Sequence, residues 1–180
     1  MVSRGIPEKG WHELIVAYKR VKETYKNIVL LLVGDSPYLR NLLSENATND
    51  DAIIHVGFSS DVYAWISIFD VCVLPSYYNS ESCPIALIEY IMMGKPVITS
   101  NINGISKMII SDGNKYAGQV IELNKNGKCD IDSLCNAMSL YLANKEILNK
   151  HADNAIEISK KYMIENVAAK YLDVFKKVVG

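Results

Sequence analysis

Apolar residues along this chain fall into two alternating patterns. Short aliphatic runs, Ile28–Val33, Ile53–Val56, Val71–Leu74, Val97–Thr99 and Gln119–Ile121, are of strand length. Between them stand stretches whose apolar positions recur at helical spacing: Trp11–Tyr25, with Leu14, Ile15, Tyr18 and Val21 on one stripe, then Tyr38–Leu43, Val62–Phe69 and Pro84–Met93. Strands that alternate with helices predict an α/β fold, a Rossmann-like parallel sheet with helices on both faces. After about residue 130 no further strand pattern appears. Two amphipathic stretches, Ile131–Leu142 and Asn154–Val178, predict C-terminal helices packed on the sheet.

A chain of 180 residues is the size of one domain, so residues 1–180 are expected to form a single core without disulfides or metals. Nineteen Lys and Arg against twenty Asp and Glu give a formal net charge of -1, which offers nothing to a nucleic acid. The apolar runs are far shorter than the ~20 residues of a membrane-spanning helix, and no charged-then-apolar leader opens the chain. A soluble, cytoplasmic protein is expected. Cys72, Cys83, Cys129 and Cys135 form no C-x-x-C pair and lie far in sequence from His12, His55 and His151, so no metal site is expected. Only Met1, Val2 and Ser3 precede Arg4. A strand feeding that loop would be cut short, and the chain is expected to be part of a longer protein.

In open α/β sheets, ligands bind beyond the carboxyl ends of the strands. Three loops there are unusual. In Arg4-Gly5-Ile6-Pro7-Glu8-Lys9-Gly10, two cations stand five residues apart in a tight turn that opens a helix, an arrangement suited to a phosphate or diphosphate. The plainer alternative is a solvated loop with Lys9 on the surface. Val33-Gly34-Asp35-Ser36-Pro37 ends the strongest strand with a close turn, a cap and a helix-starting proline. The third loop, from Pro75 to Pro96, holds two glutamates. Pro84 suits the first turn of a helix, which places Glu81 just ahead of it and Glu89 about a turn and a half inside. Ile85 to Met93 is otherwise apolar or Tyr, so this helix is expected to be buried on most of its circumference. A carboxylate there needs partners, and Lys95 or a backbone amide is the structural alternative to a ligand.

Taken in order, R-x4-KG, VGD-x-P, the Val56-Gly57-Phe58-Ser59-Ser60-Asp61 turn and PS…E-x7-E followed by GKPVI resemble the C-terminal domain of the retaining GT-B glycosyltransferases of family 4. The resemblance covers nearly the whole chain, including the late Lys161-Tyr162. It implies one half of a GT-B fold that binds a nucleotide-sugar donor, such as a UDP- or GDP-sugar, for metal-independent transfer with retention. It implies no separate cofactor. The acceptor, a saccharide or a lipid-linked sugar, and any membrane-peripheral attachment would belong to a missing N-terminal domain. The fragment alone is then expected to bind donor without turning it over.

The resemblance also implies residue roles. Arg4 and Lys9 match the cation pair that grips the diphosphate and stabilises the leaving group. Glu81 matches the glutamate near the donor sugar, and Glu89 the one that hydrogen-bonds the ribose. The amides near Ile85 and Ala86 would complete the phosphate cradle, Val56 and Gly57 would line the base pocket, and Gly34 is a further donor-binding candidate. Two departures stand out: Glu81-Ser82-Cys83-Pro84 replaces the common Glu-Gly-Phe-Gly, removing one backbone donor, and Lys107 stands where a GGxPE turn has its acid.

Asp130-Ile131-Asp132 has the D-x-D form of metal-dependent glycosyltransferases of the other major fold, but its place before an amphipathic helix predicts capping. Other readings share parts of the pattern. A sugar-nucleotide epimerase or phosphorylase half has the same architecture, although no lysine context argues for pyridoxal phosphate. A receiver-like domain needs an acidic pair where this chain has Arg4. A non-catalytic nucleotide-binding or interaction module has no need of both glutamates and both cations.

Overall fold

The computed structural model describes residues 1–46, 50–111 and 113–179. Among the described residues, five strands form two parallel sheets. Strand β1 (Leu30–Val33) pairs with β2 (Ile53–Gly57), and β3 (Cys72–Leu74) pairs with β4 (Val97–Ser100), which pairs in turn with β5 (Gly118–Ile121). The first residues lie beside β1: Val2 bridges Val33 in parallel, with the Val33 amide donating to Met1 O at 2.9 Å and the Ser3 amide to Val33 O at 3.1 Å. On its other side, Val2 is served by a side chain. Its amide donates to Tyr90 Oη at 2.6 Å, and that hydroxyl donates to Val2 O at 2.9 Å, so buried backbone groups are satisfied without a strand partner.

Alternation along the strands sorts the core into two layers. Leu32, Val73, Ile98 and Ile121 face one layer with Trp11, Leu14, Ile15 and Leu134; Val33, Cys72, Leu74 and Val97 face the other with Ile66, Leu87, Ile91 and Ile158. Helices α1 (Trp11–Thr24), α2 (Pro37–Asn46) and α5 (Ile131–Ala143) supply the first layer; α3 (Val62–Ser67), α4 (Ile85–Met92) and α6 (Lys145–Ser159) supply the second. Helices therefore cover both faces, as the sequence predicts. Asp130 accepts from the Ser133 amide at 2.8 Å, and Asp132 pairs with Arg20 at 2.8 Å, so the D-x-D run caps and anchors α5.

Three expectations are corrected. The stretch Asn154–Val178 is not one helix: α6 begins at Lys145, capped by the Asn144 side chain on the Ile147 amide at 3.0 Å, and ends at Ser159. A short 3-10 turn follows, Met163 is extended, and α7 runs from Ile164 to Val179. The turn is held from outside, for Tyr162 Oη donates to Met108 O at 2.9 Å. Nor does α7 pack on the sheet. None of its residues is buried, and Ile164, Tyr171, Leu172, Phe175 and Val178 are exposed. Helix α4 is also less covered than its composition predicts: Leu87, Tyr90 and Ile91 are buried, whereas Ile85 is 71% exposed and Met92 46%. Its apolar face is wider than the layer it packs on. Among the described residues, no helix is long and apolar enough to cross a membrane.

Candidate donor site at the carboxyl edge of the strands

Parallel strands bring the ends of β1, β2 and β3 to one edge, and the loops leaving them meet there. Gly34 and Gly57 are joined directly, the Gly34 amide donating to Gly57 O at 2.8 Å. Gly34 has φ of 145°, and a Cβ there would lie 2.1 Å from Ser3 O, so only glycine lets these segments close. The Arg4–Gly10 loop is held from both sides. On one, Ser36 Oγ donates to Gly5 O at 2.5 Å while accepting from the Leu39 amide at 3.0 Å, which caps α2. On the other, the Tyr77 amide donates to Glu8 O at 2.8 Å. Beneath it, Trp11 Nε1 donates to Arg4 O at 2.9 Å. Gly10, with φ of 79°, lets the loop turn into α1 against Pro75, whose carbonyl a Cβ would meet at 2.3 Å.

This packing brings two of the three charges proposed for catalysis into contact. Lys9 is buried, not on the surface, and its ammonium is paired with the Glu81 carboxylate; the two side chains are 6% and 9% exposed. Ser76 Oγ donates to Glu81 Oε2 at 2.9 Å, so the carboxylate has a second donor. A buried ion pair of this kind is tolerated when hydrogen bonds satisfy what the pair leaves over. Arg4 is exposed, with its guanidinium carbon 5.8 Å from the centroid of the Tyr78 ring, and Lys9 Nζ lies 5.6 Å from the same centroid. Arg4, Lys9 and Glu81 thus meet around one short turn.

The remaining candidates stand around this centre. Helix α4 starts after Pro84, which provides no side-chain cap, and so the amides of Ile85 and Ala86 open the helix uncapped at its positive end. Val56 is half-buried, Gly57 has φ of 79° with open space where a Cβ would be, and the adjoining Phe58 is 82% exposed. Glu89 is half-buried in α4 and does not join the Lys9–Glu81 pair. Lys95, the alternative partner named from sequence, donates instead to Ser67 O at 2.7 Å. Among the described residues the Glu89 carboxyl has no side-chain partner, and burial holds its pKa above the usual carboxylate value.

That direction carries a stability prediction. A carboxyl whose folded pKa is raised binds its proton more tightly in the native chain, so the ionised form costs stability at pH above the folded value. The cost vanishes as pH falls below the unfolded value. Glu89→Gln is therefore expected to raise the melting temperature at neutral pH, with the gain shrinking to nothing as the carboxylate range is crossed downward. Melting curves of both chains across pH check this, and a gain independent of pH would mean that Glu89 carries no such penalty.

Sequence reasoning missed Ser76, Tyr78, Trp11 and Ser36 as parts of this site. Ser76 and Tyr78 lie inside the PS…E run and carry a signal only in kind, a hydroxyl and an aromatic beside an acid. Trp11 and Ser36 act on the backbone of a loop distant in sequence.

A protein of Escherichia coli, UDP-Gal:alpha-D-GlcNAc-diphosphoundecaprenol alpha-1,3-galactosyltransferase, is 31% identical over 163 residues, 87% of this chain and 40% of its own length. Among solved structures, a sucrose-phosphate synthase from Thermosynechococcus elongatus superposes with a TM-score of 0.80 at 25% identity, covering 99% of this chain and 44% of that one. Anabaena HepE, solved in complex with UDP, superposes at 0.73 and 20% identity over 96% of this chain and 47% of its own, which shows a shared fold. These neighbours have the GT-B architecture. The chain spans less than half the length of the curated relatives it matches first. With residues 1–161 matched by the family model for Glycosyl transferases group 1, the chain belongs to that family.

Proposed function

We propose that this chain is the donor-binding domain of a hexosyltransferase. It holds a nucleoside diphosphate sugar for metal-independent transfer, with retention, to a saccharide or lipid-linked acceptor. The observation that carries this reading is the meeting of Lys9, Glu81 and Arg4 at the strand ends, around Tyr78. Breaking a sugar–phosphate bond leaves negative charge on the departing diphosphate, which fixed cations and helix-end amides stabilise without reorganising. The Lys9 ammonium has three donors, so one stays with Glu81 while another reaches a phosphate oxygen. Arg4 adds a planar fork, and the amides of Ile85 and Ala86 add the positive end of α4.

In the same reading, Glu81 stands at the donor sugar, its carboxylate oriented by Lys9 and Ser76. Glu89 accepts from the ribose hydroxyls. Its unpartnered, raised carboxyl supports this, because a ligand donor would remove the cost of its burial. Gly34 with Val56 and Gly57 shapes the pocket for the base, which the exposed Phe58 adjoins. The acceptor site belongs to an N-terminal domain in the rest of the protein. The exposed apolar stripe of α7 supports further protein covering this chain.

A thermal-shift panel of UDP, GDP, ADP and their sugars, run with chelator, tests the reading. A ligand at a hundred times its Kd adds about 2.7 kcal/mol of stability, roughly 5–10 °C for a chain of this size. One nucleoside diphosphate is expected to give that rise without divalent metal. A shift that appears only with magnesium or manganese contradicts metal-independent binding; none with any of the ligands removes the donor assignment.

A further inference from the structure

We propose that Tyr78 is a positioning residue of the donor site, its ring holding the Arg4 and Lys9 cations together for the diphosphate. This rests on the donor-binding reading above. Two like charges brought to one place repel, and the Glu81 carboxylate is already engaged by Lys9 and Ser76. Arg4 has no ion-pair partner among the described residues, and an exposed side chain of that length has many rotamers to lose on binding. What it does have is an aromatic ring 5.8 Å away, and that ring also lies 5.6 Å from Lys9 Nζ. The face of an aromatic ring carries negative potential, so Tyr78 attracts both cations without neutralising either. A carboxylate in its place would compete with the phosphates.

The ring is itself fixed by the turn that fixes Glu81. The Glu81 amide donates to Tyr78 O at 2.9 Å, the Tyr78 amide donates to Ser76 Oγ at 3.3 Å, and Ser76 Oγ reaches Glu81 Oε2. One short turn therefore places the carboxylate and the platform for both cations. Arg4 comes to the ligand partly ordered, and the ordering entropy is lost before binding rather than during it.

Isothermal titration of the chain with UDP, GDP and ADP, each beside its own nucleoside, tests this with Tyr78→Phe and Tyr78→Leu. Two cation–ring contacts predict a loss of about tenfold in diphosphate affinity for Tyr78→Leu, and a change within about twofold for Tyr78→Phe, which keeps the ring. Nucleoside affinity stays unchanged in both. In an Arg4→Ala background, Tyr78→Leu is expected to cost only about threefold more, because the shared partner is gone. The proposal is overturned if Tyr78→Leu binds diphosphate as the parent does, if Tyr78→Phe loses as much as Tyr78→Leu, or if nucleoside and diphosphate weaken equally. If the parent chain binds none of the three diphosphates, the donor-binding reading falls and this proposal with it.

Discussion

Lys9→Ala is expected to lower the melting temperature by roughly 10 °C and to remove most of the diphosphate affinity, whereas Arg4→Ala should remove affinity alone. The difference follows from burial. Lys9 and Glu81 face each other with side chains 6% and 9% exposed, so removing the ammonium leaves a carboxylate out of water with only Ser76 to serve it. Breaking a buried pair in this way costs about 3–5 kcal/mol. Arg4 is exposed and lies over Tyr78, so its loss removes a contact of at most about 1 kcal/mol. Charge-assisted hydrogen bonds to a phosphate contribute roughly 1.5–3 kcal/mol, so either variant should bind diphosphate about tenfold to a hundredfold more weakly. The bare nucleoside should lose far less. The double variant Lys9→Met, Glu81→Gln separates the two effects, for it removes both charges and should recover most of the stability without the binding. Melting curves and titrations on the four chains suffice. Should Lys9→Ala melt as the parent does, the buried pair has no structural weight. Equal losses of nucleoside and diphosphate would deny the cations their role at the phosphates.

The two glutamates are expected to separate binding from transfer. Glu89→Gln replaces the acceptor of ribose hydroxyls by a weaker, neutral one, and should weaken nucleoside diphosphate and nucleotide sugar alike by about tenfold to a hundredfold. Glu81→Gln keeps an amide oxygen that can accept from Lys9 and Ser76. It should leave diphosphate affinity within a few-fold, on the order of a lost charge on an already paired group, yet abolish transfer in the full-length enzyme. Titration of each variant with diphosphate and sugar nucleotide, followed by a transfer assay on the whole protein, reads both. Intact transfer in Glu81→Gln, or undiminished diphosphate affinity in Glu89→Gln, would remove that residue from its assigned place.

Both glutamates were legible as candidates because they stand in one continuous run with Pro84 between them. What the run could not reveal is how differently they are treated. Glu81 falls in a turn folded against the first loop, and Glu89 falls on a helix that leaves Ile85 and Met92 in solvent. Ile131–Leu142 was legible as a helix and is α5, whereas the stretch Asn154–Val178 fails for a local reason. Lys145–Asp153 is largely polar, with Ile147 and Leu148 its main apolar residues, so its periodicity is faint, while the signal that starts α6 is a single cap, Asn144. The break before α7 depends on Tyr162 reaching Met108, 54 residues away in the chain.

The layered fold, and the strand edge that holds the candidate site, could be read from local pattern alone. Period-two alternation assigns each strand residue to one face or the other, helical stripes cover both faces, and parallel strands send their following loops to the same end. These are local rules, satisfied within a few residues, and Leu32 against Val33 or Val73 against Leu74 obey them. How the loops pack on one another could not be read in this way. Lys9 meets Glu81 across 72 residues, and Tyr78 comes to lie beside two cations from another loop, through contacts with no local signature. Desolvation gives the Lys9 contact its weight: an ammonium carried inside by packing needs an opposite charge, and that it finds Glu81 depends on where the neighbouring strand ends.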